Sequence, residues 1–447
     1  MNGTVQQLAI DLIFALLFFG FATGGGGALV LLFDRMGGTW AQVVAPSAHK
    51  LASLEGLRGI LAFSVVAHHA YCWYFFLQTG FWGTGRSIVF ERLAGFGVHQ
   101  FFFISGFLFW RKLMKRGSIP LWGFYLSRFI RIGPAYYVCI GAAIFTGLFF
   151  SGFHLQVTVG ALFGSLMAWV LFSLPGRLDV NHADILGITC GVTWTLAWEW
   201  LFYLSLPFLG WFSRKSKRLV YYALTFGFLS LLGRILSSKI VHEEYLQSVS
   251  AHLTDFAWYM LIGFGGGILI ATFEERIRLW LRFLLPWQNW ALLGLYLVHL
   301  TMPGNQIIVA VPLLVGFALV VLGADLFGLL TCRAVRLLGL ISYSLYLVHG
   351  IVYFLAMKLR GGPYPVSLLP YIAETTACLV VILLFATTIH VAIERPTMKL
   401  SEKIARRASL PPIDPVQAAS AREAASWNPE QAGQGSNSGM AMHTSSM

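Results

Sequence analysis

The feature that most limits what this chain can fold into is a succession of apolar runs, many reaching the ~20 residues an α-helix needs to cross a hydrocarbon core. They fall near residues 6–33, 54–77, 95–110, 133–151, 157–175, 193–213, 218–238, 252–272, 283–301, 305–330, 338–358 and 368–394. In lipid every backbone amide must be satisfied internally, which leaves helices and closed barrels. A barrel would show ~10-residue segments of alternating polarity, and none is present. The fold class is therefore all-α: a polytopic transmembrane helical bundle with no soluble domain expected. Composition agrees, with 57% hydrophobic and only 11% charged residues against ~45–50% and ~25% in soluble domains.

Three parts follow. Residues 1–49 hold an N-terminal helix and loop, 50–400 the main membrane domain, and 401–447 a polar tail rich in Ala, Ser, Gly and Pro. The tail cannot bury a core and is expected to be disordered. The first ten residues carry no Lys or Arg, so the basic segment of a cleavable signal is missing.

The net charge of +12 does not indicate a nucleic-acid partner, because the Lys and Arg sit in short clusters between apolar runs. Under the positive-inside rule, the clusters Arg111–Arg116, Arg128–Arg131, Arg214–Arg218, Arg276–Arg282, Arg333–Arg336 and Lys399–Arg407 face the cytoplasm, the N-terminus lies outside and the C-terminus inside. Between Arg131 and Arg214 this demands an even number of crossings, yet three runs lie there: 133–151, 157–175 and 193–213. One of them must fail to cross, which leaves about 11 spans. The five cysteines, Cys72, Cys139, Cys190, Cys332 and Cys378, lack the spacing of a zinc site or a disulfide framework. They read as small core residues.

Ionisable groups inside spans are costly and usually face a cavity or a partner. Arg58 and His69 are eleven residues apart, which places them on one helix face and ~16 Å apart along the axis. An imidazole there can act as a general base, or it can be a packed ring bonded to a carbonyl; His68 points away and reads as structural. In the stretch 97–112, Gly97, Ser105 and Gly106 suit close helix packing, and His99 could line the same cavity as His69. Arg128 and Arg131, three apart, share a face if helical and could grip a phosphate or merely anchor the chain. Glu199 is a lone carboxylate in an aromatic run and needs a cation or a proton; an imidazole is a natural partner. In "SYSLYLVHG", Ser342, Tyr343, Ser344, Tyr346 and His349 could line an acceptor cavity or bond between helices. His299 and His390 carry no assigned role.

Taken in order, these segments resemble the membrane-integral acyltransferase family three, which includes O-acetyltransferases of O-antigen, exopolysaccharide and nodulation factors. "LEGLRGILAFSVVAHHA" (54–70) is similar to the family's "LDGLRGIAALLVVLFHA", with Arg58 and His69 at its arginine and histidine. "GVHQFFFISGF" resembles "GVDLFFVLSGF", with His99 in place of Asp. Arg128 and Arg131 match its Arg-x-x-Arg. "WTLAWEWLFYLSLP" is similar to "WSLSVEEQFYLLWP", with Glu199 at the first glutamate and Trp200 replacing the second. The stretches at 338–350 and 394–400 are close to the family's closing pattern.

The resemblance covers residues 50–400 and implies ten family spans plus the N-terminal one. It implies acyl transfer from cytoplasmic acyl-CoA, acetyl-CoA first, as co-substrate, with no bound cofactor or metal. The acceptor would be a hydroxyl of a saccharide, polysaccharide or glycolipid. The site would be a multi-pass protein of the bacterial inner membrane. Arg58, Arg128 and Arg131 would hold donor phosphates. His69 would be the base or carry the acyl group, with Glu199 orienting it. A proton-coupled transporter or exporter of a small or lipid-linked molecule is the competing reading, since buried His and Glu can relay protons. It would not need a phosphate clamp, and no inverted repeat is visible.

Overall fold

A computed structural model describes residues 3–37, 52–116, 120–173, 179–215, 262–302, 306–361 and 367–407. These residues form helices, joined by turns and one isolated bridge between Val180 and Ala183. The helices are α1 (Gly3–Met36), α2 (Ala52–Thr79), α3 (Ile88–Arg116), α4 (Leu121–Phe150), α5 (Val159–Val170), α6 (Ile185–Ile188), α7 (Trp194–Lys215), α8 (Gly265–Trp280), α9 (Gln288–Thr301), α10 (Gln306–Leu322), α11 (Arg333–Leu340), α12 (Ser342–Leu359), α13 (Leu368–Ile389) and α14 (Arg395–Arg407). A single π turn, His390–Glu394, joins the last two.

Five stretches are long and apolar enough to cross a membrane: Ala52–Thr79, Ile88–Lys115, Leu121–Phe150, Ser342–Leu359 and Leu368–Ala405. Large apolar side chains face outward, among them Leu384 and Phe385 on α13 and Phe145 and Phe149 on α4. Such surfaces are stable only against lipid or another protein. The runs at 218–238 and 252–261 lie outside the described residues, as does the tail beyond 407. The run at 6–33 is one continuous helix, α1.

Two runs differ from their sequence outlines. The helix expected at 133–151 starts at Leu121, so Arg128 and Arg131 belong to α4 itself and do not precede it. Their charge lowers the local hydropathy and hides the helix start. The run at 157–175 yields a helix of 12 residues, a rise of ~18 Å where a crossing needs ~30 Å. It is the short one among the three runs that set the parity conflict.

Helices α2 and α12 are the spine. Helix α2 contributes to the apolar cluster shared with α1, α12 and α13, and to the one shared with α3, α8, α9 and α10. Helix α12 contributes to the first and to a third cluster around α4, α5 and α7. Glycines permit the closest crossings. A Cβ on Gly339 would overlap the carbonyl of Glu55, and one on Gly106 the carbonyl of Phe264, so backbones touch where α2 meets α11 and where α3 meets the start of α8. Ion pairs pin the chain ends beside the first crossing: Arg336 to Glu55 at 2.8 Å and Arg333 to Asp34 at 2.7 Å.

Candidate active site

Helices from five distant parts of the chain enclose one cavity of about 230 Å³. Its polar lining comes from Arg58 on α2, Ser105 on α3, Arg128 and Arg131 on α4, Glu199 and Tyr203 on α7, Tyr343 and Tyr346 on α12, and Glu394 in the π turn. A π turn shifts the register of a helix by one residue and is frequent at functional sites. Here it turns the buried carboxylate of Glu394 toward the cavity.

The carboxylates have partners. Glu394 Oε2 accepts from Ser344 Oγ and from His390 Nδ1, each at 2.9 Å. Glu199 accepts from the Tyr203 hydroxyl. The cations do not. Among the described residues none of Arg58, Arg128 and Arg131 makes an ion pair within 4.0 Å. Arg128 stacks its guanidinium 5.2 Å from the Phe109 ring centre, and its Nε is buried with no hydrogen-bond partner. A buried, unpaired donor is expensive. Guanidiniums are planar forks of donors, a geometry suited to anions with several oxygens, and three of them line this one space.

The cavity ends at Tyr346. Its hydroxyl is fixed by Thr195 Oγ1 at 3.0 Å and by the Val192 carbonyl at 3.1 Å. Its ring centre lies 6.1 Å from that of His349, one turn further along α12. His349 in turn meets His69: Nε2 of His349 is 3.0 Å from Nδ1 of His69, with the rings stacked at 5.1 Å. Both rings are buried, His349 completely. On its far side His69 faces Trp82, 6.4 Å between ring centres, in the loop between α2 and α3. Trp82 is 48% exposed, so the histidine pair is screened from solvent at that end by one aromatic side chain.

A family profile described as an acyltransferase domain matches residues 51–391. The chain belongs to acyltransferase family three. It is an integral membrane protein. It is 29% identical over 193 residues to the peptidoglycan O-acetyltransferase OatA of Listeria monocytogenes serovar 1/2a, a match covering 40% of this chain and 28% of that protein. The chain thus spans well under a third of that relative's length. No solved structure matches the chain.

Of the residues singled out in this acyltransferase by sequence, Arg58, Ser105, Arg128, Arg131, Glu199 and Tyr343 converge on the one cavity. His69 and His349 do not line it; they form the buried pair beyond Tyr346. Glu199 lines the same cavity as the arginines and accepts from Tyr203, not from the His69 imidazole. His99 lines a separate cavity of about 180 Å³ with Glu91, Arg92, Trp194 and His299, divided from the first by Val98. Its Nδ1 donates to the Gly95 carbonyl at 2.7 Å. His68 likewise bonds the Phe90 carbonyl, at 2.7 Å, as its structural reading requires. Gly97 and Gly106 pack against neighbouring backbone, whereas Ser105 faces the cavity. Four cysteines are buried, but Cys332 is exposed, outside the core where sequence placed it.

Tyr346 and Ser342 line the cavity as the sequence allowed, whereas sequence reasoning gave no role to Glu394 and His390. The signal for these two was available: a His and a Glu four apart at the end of an apolar run share a helix face, and ionisable groups there merit the same attention as His69.

Proposed function

We propose that this family member is an O-acyltransferase that moves an acyl group, acetyl in the first instance, from cytoplasmic acyl-CoA to a hydroxyl of a saccharide, polysaccharide or glycolipid. The observation that carries the reading is the set of three guanidiniums around one cavity without an ion-pair partner. The donor's phosphates supply the missing charge. A cavity of about 230 Å³ is below the ~300–1,000 Å³ of a site that encloses a whole drug-sized ligand. It suits the phosphates and the start of the pantetheine arm, with the nucleoside left outside.

The basic clusters support an arginine end on the cytoplasmic side: Arg336 is bonded to Glu55, three residues from Arg58. About 11 spans, an outside N-terminus and an inside C-terminus in the bacterial inner membrane complete this topology. His69 then lies toward the opposite face, beside exposed Trp82, where a saccharide could approach it. A thioester carried on a flexible arm bridges the ~16 Å between Arg58 and His69. The named activity of the Listeria relative, O-acetyl transfer to peptidoglycan, supports acetyl and a saccharide acceptor.

The test is release of free CoA by purified protein in lipid vesicles given acetyl-CoA and a saccharide or glycolipid extract. Acceptor-dependent release with acetyl found on the acceptor is expected. Acetylated acceptor formed without CoA release would replace the donor, and proton-coupled uptake of the extract without transfer would replace the whole reading.

A further inference from the structure

We propose that His349 is a positioning residue that holds His69 in the tautomer with its proton on Nδ1, leaving Nε2 as the free basic nitrogen. This rests on His69 being the base in the reading above, but the tautomer itself is argued from hydrogen-bond directions alone.

The chain of directions starts at a carbonyl. Nδ1 of His349 lies 3.2 Å from the backbone oxygen of Leu345, and a carbonyl can only accept. Nδ1 of His349 therefore carries the proton, and in the neutral ring its Nε2 has only a lone pair. That lone pair faces Nδ1 of His69 at 3.0 Å. A hydrogen bond forms there only if His69 donates, so Nδ1 of His69 holds its proton and Nε2 is bare. The alternative, a charged His349 donating to His69, places an unpaired cation in a ring with no exposed surface, which burial disfavours strongly.

The neighbouring imidazole does not interfere. Nδ1 of His68 donates to the Phe90 oxygen at 2.7 Å, and its Nε2 faces Cys72 Sγ at 3.5 Å. His68 is thus committed elsewhere, although its ring lies 4.9 Å from that of His69. In water the imidazole tautomers interconvert freely; here the backbone carbonyl of Leu345 sets one through two rings.

The consequence for transfer is specific. As the acceptor oxygen bonds to the thioester carbonyl carbon, its proton passes to Nε2 of His69. The C–S bond breaks, and that proton is returned to the departing sulfur, giving a free thiol and neutral His69. In between, His69 is an imidazolium whose Nδ1–H still donates to neutral His349. This is the logic by which a carboxylate orients a catalytic histidine, with an imidazole in its place. An imidazole can do this without adding a charge to a dry site.

The test has two parts. Solid-state ¹⁵N spectra of histidine-labelled wild-type protein in lipid, assigned by difference with His69→Gln and His349→Gln, report the tautomer directly. We expect protonated Nδ1 and unprotonated Nε2 for His69; the opposite tautomer overturns the proposal even if His69 proves essential for activity. In parallel, Gln can place an amide oxygen where Nε2 of His349 sits, whereas Phe cannot accept. His349→Gln should keep kcat within about 10-fold of wild type, and His349→Phe should lose about 100-fold or more with the donor KM changed less than about 3-fold. Equal losses in both variants would assign His349 to packing alone. Should the Phe variant fail to fold, the wild-type spectrum decides. Full activity of His69→Ala would remove the base reading while leaving the tautomer as measured.

Discussion

The arginine cavity and the histidine pair are built on the same two helices, α2 and α12, yet they are opposite kinds of site. The cavity collects charges of both signs, and among the described residues its three arginines make no ion pair. The pair, beyond Tyr346, is made of neutral rings in a buried setting where each nitrogen with a recorded bond has a direction. The difference follows from what each region must hold. A permanent anion brought from water can be captured only by permanent cations near water. A proton that moves within one turnover is better handled where no water competes and no standing charge has to be desolvated. Joining the two along one helix face turns a ligand site into a reaction path.

The sharpest way to break that comparison is to delete the chemistry and keep the anchor. His69→Ala should lower kcat by about 10²–10⁴-fold, the usual worth of a general base, while the donor KM stays within a few-fold of wild type. The check is steady-state CoA release beside an equilibrium measurement of donor binding. A loss in donor affinity equal to the loss in kcat would show that the regions are not separate functions.

The converse deletes the anchor. Arg128→Ala removes a charge-assisted contact worth about 1.5–3 kcal/mol, so the donor KM should rise about 10–150-fold with kcat nearly unchanged. Arg128→Lys keeps the charge but not the fork and should fall between. Dephosphorylated donor analogues lacking the phosphate that Arg128 grips should lose this sensitivity. If Arg128→Ala instead lowers kcat at an unchanged KM, the guanidinium acts on the reacting atoms and the anchor lies elsewhere.

The same contrast explains what sequence could reveal. The arginine cavity was largely legible because Arg58, Arg128, Arg131 and Glu199 are anomalous where they stand, and the helices bring them together; Glu394, at the end of a run, was not singled out. The histidine pair was not legible. His69 and His349 are 280 residues apart, and nothing local to either states that they meet. Glu199 was assigned to His69 by chemical affinity, but in the fold it accepts from Tyr203 one turn along its own helix. His99 was expected to share a cavity with His69 and instead lines one with Arg92 and His299. Helical spans are visible as hydropathy; partners between spans are set by which faces pack. The glycine crossings at Gly106 and Gly339 that determine this packing are ordinary glycines in sequence.

The smallest predicted effect is the most informative about how the regions communicate. Tyr346 closes the cavity and touches the His349 ring, held by hydrogen bonds to Thr195 and Val192. If the donor's arm must pass this ring to reach His69, those bonds resist its displacement. Tyr346→Phe removes them at about 1 kcal/mol and keeps the aromatic volume. A door loosened by that amount should raise kcat by up to about 5-fold, with the donor KM little changed. A wall that only supports His349 should, when loosened, lower kcat by a similar factor through a less well-placed pair. The two outcomes differ in sign, so a modest change measured against acetyl-CoA at saturating acceptor is sufficient. A rise means that the arm passes Tyr346, and the cavity and the pair are then successive stations of one path. A fall means that the arm travels another way around α12, and the nearness of Tyr346 to both regions serves only to hold the pair in place.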